Sequence, residues 1–417
     1  MIDYPNKLDI IFDKLDKFNI KSIIVGGYIR DKLLNLDSKD IDIELYGINS
    51  LQELETILEE FGDVNSVGKS FGVCKLQFEE LDIDFSLPRT DSKVSEGHRG
   101  FKIRTDSSLD FKTASSRRDF TINAMGYDVK EKKFLDPFNG KSDIKNALLR
   151  AVDILKFDED PLRVLRTVQF SSRFNFTLSE ELHLKCSEMI QNSVLDELPK
   201  ERIFVEIQKL LLKSTKPSIG LSLLKELGGF IYFKELASLS KHEFNRLLER
   251  IDYLAKLKIE NKNRKLALFL TLMCSNLSQE KSLIFLTSLT DKKELLSEVL
   301  SMHKYKETPE LNTLEDYDLY RLAIFVNIES FIYFYESLHL GEGIQTINRL
   351  RDRAKELNIF NHKAEALLQG RDLIALGLKP STEFSKLLNE AYEAQINSLF
   401  ASHKEALIWL KKRVGLS

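Results

Sequence analysis

Asp40-Ile41-Asp42 sets two carboxylates at i and i+2 at the start of a β-type run, so both project from the same face. Two acids side by side repel each other unless a cation sits between them. Hard oxygen ligands on one face suit Mg²⁺, which keeps its remaining positions for water and substrate phosphates. Asp82 and Asp84 share a face in the same way, and Asp84 is the candidate third carboxylate. An edge strand with polar residues turned outward is the commoner meaning of a lone D-x-D. Here, however, the pair follows a phosphate-like turn. Gly26-Gly27 closes one apolar run and Tyr28-Ile29-Arg30-Asp31 opens a helix. Two glycines at such a turn let backbone approach a ligand and leave helix N–H groups free to hold phosphate, with Arg30 one turn in. A glycine pair, an Arg-Asp pair and D-x-D within 17 residues make the edge-strand explanation a poor one.

The elements that must position these residues are legible in the periodicity. Ser22–Val25, Ile41–Tyr46, Val73–Phe78 and Leu81–Leu87 read as strands, the last two as a hairpin turning at Glu79-Glu80. Helical periods cover Leu8–Phe18, Ile29–Leu36 and Leu51–Phe61. After residue 150 the pattern is helical almost throughout, beginning with Pro161–Phe174, Ser179–Asn192 and Lys200–Lys213, and 8 prolines in the whole chain leave little to break it. The expected fold class is α+β: a small α/β head with a mixed or antiparallel sheet, then a long all-helical remainder.

Composition bounds the function loosely. The 417 residues, 43% apolar and 30% charged, are those of a globular protein of several domains. A net charge of −3 announces no nucleic-acid partner, but Arg99–Arg118 and Lys200–Lys216 are locally basic. No apolar stretch reaches the length of a membrane span, so no membrane partner is expected. The N-terminus carries acids inside its apolar pattern, unlike a signal peptide. Cys74, Cys186 and Cys274 have no metal spacing and suit a reducing, cytoplasmic setting.

Five segments in order carry a resemblance. GGYIRDKLLNLDSKDIDIELYG resembles the signature of the nucleotidyltransferase superfamily that holds bacterial CCA-adding enzymes and poly(A) polymerases. RRDFTINAMGYD, DPFNGKSDIKNALLRAV, FDEDPLRVLRTVQFSSRF and LPKERIFVE resemble the motifs that follow it, so the likeness spans roughly 22–210. It implies a nucleotidyltransferase head over 1–147 and a neck over 148–215 that holds the nucleotide-selecting E-D-x-x-R helix. A helical body over 216–355 and a helical tail over 356–417, with a possible tRNA-elbow contact, complete the division. It also implies that Asp40 and Asp42 hold Mg²⁺ for nucleotidyl transfer to an RNA 3′-hydroxyl. Gly26, Gly27, Arg30 and Arg118 fall where the family contacts triphosphate and ribose, and Asp119 and Asn123 where that site is braced. Asp160 and Arg163 stand at i and i+3 of one helix, an acceptor and a donor that can read a base edge in place of a template, with Arg166 continuing the contact. Gln169 departs from the family, which usually has another arginine there.

Within the family, VGKSFGVCKLQF resembles the tRNA-directed members rather than poly(A) polymerases, and the segment from Arg89 to Ser116 has the full length of the loop that CC-adding members shorten. Addition of C, C and A to the 3′ end of tRNA, with CTP and ATP as substrates, is therefore the expectation. A-only or CC-only addition, poly(A) addition and a catalytically silent tRNA-binding protein are the alternatives. The place where many relatives carry an HD phosphohydrolase motif reads LALFLTLMCSNL, without His or Asp, so no such metal chemistry is expected.

Overall fold

Alternating apolar residues build the sheet that carries the acids. In this computed structural model, residues 2–68, 73–93, 101–307, 314–361, 365–380, 382–397, 399–400 and 402–415 are described. Parts of the Val67–Phe78 motif, of the Arg89–Ser116 loop and of the basic stretch from Arg99 lie outside them. The chain divides into two compact units, Met1–Phe233 and Lys234–Ser417.

In the first unit α1 (Asp9–Lys17), β1 (Lys21–Val25), α2 (Gly27–Leu33), β2 (Asp40–Tyr46) and α3 (Leu51–Leu58) precede β3 (Asp63–Gly68), β4 (Val73–Phe78) and β5 (Leu81–Ser86). β6 (Arg89–Lys93) and β7 (Phe101–Thr105) form a separate ribbon, and α4 (Phe111–Ser115), β8 (Gly126–Asp128), β9 (Lys133–Leu135) and α5 (Gly140–Lys145) complete the head. The main sheet has seven strands in the order β3-β4-β5-β2-β1-β8-β9. β2 and β5 run parallel and the other neighbours antiparallel, so the sheet is mixed. The β4–β5 hairpin turns at Glu79-Glu80 with Glu79 at φ 53°, pairing Phe78 with Leu81.

One face of the sheet is apolar. Ile41, Ile43 and Leu45 of β2, Cys74 and Leu76 of β4, and Ile83 and Phe85 of β5 are buried with Ile11, Leu15 and Leu54 of the covering helices. Each such side chain contributes roughly 1.5–3 kcal/mol through its removal from water. That burial fixes the register, because a slip by one residue would turn the acids inward and the isoleucines outward.

After the head, the short parallel pair β10 (Leu148–Leu149) and β11 (Thr177–Leu178) brackets α6 (Leu162–Phe174), and α7 (Glu180–Gln191), α8 (Lys200–Lys213) and α9 (Pro217–Glu226) follow. α6 packs against both α8 and α9. Among the described residues the second unit is helical. It comprises α10 (Lys234–Ala237), α11 (Lys241–Lys256), α12 (Lys262–Cys274), α13 (Gln279–Leu289), α14 (Lys293–His303), α15 (Asp316–Phe325), α16 (Ile328–Leu338), α17 (Ile344–Glu356), α18 (Gly370–Ala375), α19 (Thr382–Ile396) and α20 (His403–Arg413). The segment LALFLTLMC is buried along α12, and His303 packs against its end with Nε2 3.0 Å from the Cys274 carbonyl. α18 to α20 share a small core of their own around Leu373, Phe400 and Leu410. No helix among the described residues is long and apolar enough to cross a membrane.

Candidate active site

The face opposite the apolar one is polar in two aligned rows. Register pairs Asp40 with Asp82 and Asp82 with Gln77, and in the next row Asp42 with Asp84 and Asp84 with Lys75. The parallel β2–β5 pairing is what brings Asp84 beside Asp42. A cavity of about 650 Å³ lies over these rows, lined by Asp40, Asp42, Asp63, Lys75, Asp82 and Asp84 among others. Lys75 Nζ donates to both oxygens of Asp84, at 2.9 and 2.8 Å. Burial pushes the Asp42 carboxyl above its ordinary range; Arg118 opposes this, and the neighbouring Asp84 and Asp40 add to it.

Gly26 brings the phosphate-type turn to the same acids. It sits at φ 69°, ψ −127°, which places Gly27 at the start of α2 and leaves room for a side chain above it. A Cβ on Gly26 would meet Arg118 Nη1 at 2.7 Å and Asp42 Oδ2 at 3.6 Å. Arg118 therefore lies over the glycine beside Asp42, and its buried Nε has no hydrogen-bond partner among the described residues. Beneath it is Glu44, fully buried two residues after Asp42, accepting from Tyr46 Oη at 2.6 Å and from Arg117 at 3.3 Å. The D-I-D-I-E alternation carries Glu44 on the acidic face, and that periodicity is the signal by which it could have been found.

Arg30 is placed differently from a free phosphate ligand. It is buried, with Nε and Nη2 donating to Asp31 at 2.8 and 2.7 Å and Nη1 to Asn123 Oδ1 at 2.6 Å. Its guanidinium also lies 5.2 and 4.9 Å from the Phe170 and Phe174 ring centres. Arg166 is likewise engaged: it donates to Asp119 at 2.7 Å, and Asp119 also accepts from Asn123 at 2.9 Å and from the Phe120 N–H at 2.8 Å. Burial pushes the Asp119 carboxyl up, but Arg166 and these hydrogen bonds outweigh it and hold it below the usual carboxylate range. Arg173 closes the set through Asp31 at 3.3 Å. α6 is thus locked to the head by an arginine–aromatic–acid network that sequence reasoning grouped only in part, missing Phe170, Arg173 and Phe174.

Asp160 and Arg163 are not the i,i+3 pair on one helix that the spacing predicted. Pro161 caps α6, and Asp160 precedes it in extended backbone at φ −117°, ψ 104°. Among the described residues the two side chains do not bond each other. Arg163 donates to the carbonyls of Lys156, at 2.8 Å, and Arg117, at 2.9 Å. Asp160 Oδ1 accepts from the Leu162 N–H at 3.1 Å and has Arg202 at 3.8 Å. Backbone groups hold both side chains, and among the described residues Asp160 Oδ2 and Arg163 Nε make no hydrogen bond. Gln169 is buried, with Nε2 lacking a partner among the described residues.

Comparison with known proteins fits this geometry. Residues 22–150 match the family described as the poly A polymerase head domain. Over that stretch, close to a third of the sequence, the chain is similar to the family. Residues 175–239 match the family segment described as the probable RNA and SrmB-binding site of polymerase A. The multifunctional CCA protein of Pseudoalteromonas atlantica is 36% identical over 217 residues, 51% of this chain and 51% of that protein. The protein of the same name from Neisseria meningitidis serogroup C is 34% identical over 209 residues, 50% of this chain and 48% of that one. The chain thus spans about half the length of the curated relatives it matches. In fold it is similar to the CCA-adding enzyme of Bacillus stearothermophilus in complex with CTP, with TM-score 0.76, 22% identity, and 99% and 98% of the two chains covered. The Thermotoga maritima CCA-adding enzyme complexed with tRNA gives 0.63 at 20% identity, covering 99% and 97%.

The family matched by residues 22–150 implies a divalent metal, and the donor chemistry fits one. Asp40, Asp42 and Asp84 offer only carboxylate oxygens on one face, as a hard cation requires, although no preformed metal cluster occurs among the described residues.

Proposed function

We propose that this protein adds C, C and A to the 3′ end of tRNA, taking CTP and ATP as substrates and Mg²⁺ as cofactor, in the cytoplasm where its buried thiols stay reduced. The observation that carries the reading is the convergence of Asp40, Asp42 and Asp84 with Arg118 over the Gly26-Gly27 turn. Asp40 and Asp42 would hold the metal, with Asp84 as third acid. Bound there, the metal supplies charge for activating the 3′-hydroxyl and for the leaving pyrophosphate.

The chain's own groups divide the remaining work. Gly26 and Gly27 let the triphosphate approach the start of α2, where free N–H groups favour anions, and Arg118 has an unspent donor for it. Arg30 and Arg166, occupied by Asp31, Asn123 and Asp119, act on the nucleotide by holding α2 and α6 in place. Asp160 and Arg163 offer an acceptor and a donor from positions fixed by backbone. Cytosine and adenine both present an amino donor beside a ring-nitrogen acceptor, so one such pair serves both, whereas uracil and guanine present the opposite order.

The test is incubation of the purified protein with tRNA lacking its last three nucleotides, Mg²⁺, CTP and ATP. Addition of C, C and A is expected. A long A tail or a single A would reassign the activity within the family, and absence of any product would sink the enzyme reading. Arg163→Gln should raise misincorporation of UTP while tRNA binding stays near wild type; unchanged nucleotide choice would refute the base-reading role.

A further inference from the structure

The alternation that turns Asp40 and Asp42 to one face of β2 carries Glu44 to the same face, one step further along the strand. There the face is no longer open. α4 covers it, burying Ala114 with Ile23, Val25 and Tyr46. Glu44 is 0% exposed and does not line the cavity over the acids. A carboxylate taken out of water in this way needs hydrogen bonds and a countercharge.

Its two oxygens are divided between those needs. Oε1 accepts from Tyr46 Oη at 2.6 Å. Oε2 faces two guanidinium groups, with Arg117 Nη2 at 3.3 Å and Arg118 Nη2 at 3.9 Å. Both arginines follow α4 directly, in a turn closed by the Arg118 N–H on the Ser115 carbonyl at 3.0 Å. The other terminal nitrogen of Arg118, Nη1, stands over Gly26 beside Asp42. A planar guanidinium drawn to a carboxylate at one nitrogen has the direction of the other nitrogen set as well. The backbone of the same segment is held by Arg163, whose Nη2 donates to the Arg117 carbonyl at 2.9 Å. One buried carboxylate thus ties the strand of the metal-type acids to the arginine over the glycine turn.

We propose that Glu44 is a positioning residue for the nucleotide triphosphate: it holds Arg117 and Arg118 so that the Arg118 guanidinium meets phosphate over Gly26-Gly27. This rests on the tRNA nucleotidyltransferase reading. Glu44 touches neither substrate nor metal, because it is enclosed and both its oxygens face side chains of the protein. Its effect on the nucleotide therefore passes through Arg118. It also gives that arginine a carboxylate other than Asp42, so that Asp42 is not the sole acid beside it.

The test reads equilibrium binding of CTP, ATP and inorganic triphosphate, with Mg²⁺ and without RNA. It compares wild type, Glu44→Gln, Glu44→Asp, Arg118→Gln and the two double variants. Glu44→Gln keeps the shape and an acceptor for Tyr46 but loses the charge, and should weaken all three ligands by a common factor of about tenfold. Glu44→Asp keeps the charge one methylene further back. It should weaken them about threefold, and it decides the matter if Glu44→Gln does not fold. In the Arg118→Gln protein neither change should weaken binding further, since Glu44 acts through that arginine. A merely structural Glu44 would instead lower the number of binding sites per protein at unchanged Kd. That outcome overturns the proposal, as do losses that add in full to that of Arg118→Gln, or a loss for CTP and ATP that spares inorganic triphosphate. If wild type binds these ligands yet extends no tRNA, the functional reading fails, and the binding series still decides the role of Glu44. A wild type that binds none of the three overturns both.

Discussion

Gly26→Ala and Gly27→Ala add one methyl group to adjacent residues, and the structure gives them opposite outcomes. At Gly26 the backbone lies at φ 69°, ψ −127°, a region that costs a residue with a Cβ about 1–3 kcal/mol. The new Cβ would also stand 2.7 Å from Arg118 Nη1, roughly 1 Å short of ordinary contact, so the guanidinium must swing off Asp42. At Gly27, the first residue of α2, the nearest atom is Arg30 Nη2 at 3.5 Å, an ordinary contact. A helical Gly→Ala change there gains up to about 1 kcal/mol. For a unit of this size each kcal/mol moves Tm by about 2–4 °C, so Gly26→Ala should melt about 2–12 °C lower and Gly27→Ala level or up to about 4 °C higher. Thermal unfolding by circular dichroism reads both. Catalysis should separate from stability: Gly27→Ala folds well but raises KM for CTP, since its methyl stands where phosphate approaches the helix. A Gly27→Ala protein that melts as low as Gly26→Ala would refute the backbone argument, and one that keeps its KM for CTP would take phosphate off this turn.

Two further outcomes follow from the charges. Asp42→Asn should abolish nucleotide addition yet raise Tm in the absence of divalent metal, because it removes a buried acid that burial, Asp84 and Asp40 all disfavour. An acid whose pKa is raised on folding costs stability once pH exceeds its unfolded value, so the gain should be present at pH 7 and fade as pH falls below about 4. Loss of Mg²⁺-induced stabilisation in the same variant tests whether Asp42 is a ligand. Asp119→Asn should cost about 3–5 kcal/mol at pH 7, leaving Arg166 with an uncompensated charge. The Asp119 carboxyl is held low, so its contribution is present above the unfolded value and is lost as pH falls through the folded one; urea melts of wild type and variant should begin to converge only once pH drops below the unfolded value of about 3.9.

The parts of this site legible in the sequence are those set by local period. Alternation alone put Asp40 and Asp42 on one face, opened β4 at Val73, closed it at Phe78 and turned the hairpin at Glu79-Glu80, and the structure has these features where the pattern put them. The same alternation carried Glu44 onto the acidic face, a signal available in D-I-D-I-E. Pairing between strands is non-local, so nothing in the pattern announced that β2 and β5 run parallel, with Asp42 beside Asp84. The arginines were illegible for the same reason. Arg30 and Arg166 were assigned to the ligand, but the structure gives their donors to Asn123, 93 residues from Arg30, and Asp119, 47 residues from Arg166.

Those distant partners explain why one helix can both read a base and stay rigid. Arg163, Arg166, Phe170, Arg173 and Phe174 recur at three- and four-residue intervals along α6, so they form a single stripe on one side. Its first member is proposed to face the nucleotide, and the others are tied to α2 and to the segment around Asp119 and Asn123 by ion pairs and stacked rings. A rotation of α6 large enough to misplace Arg163 would have to break Arg166–Asp119 and Arg173–Asp31 together. Those pairs involve buried carboxylates, where breaking a pair leaves an uncompensated charge at several kcal/mol. The base-reading edge therefore gains its precision from residues that never touch the base, and substitution at Phe174, on the far turn of the helix, should loosen nucleotide choice before it abolishes transfer.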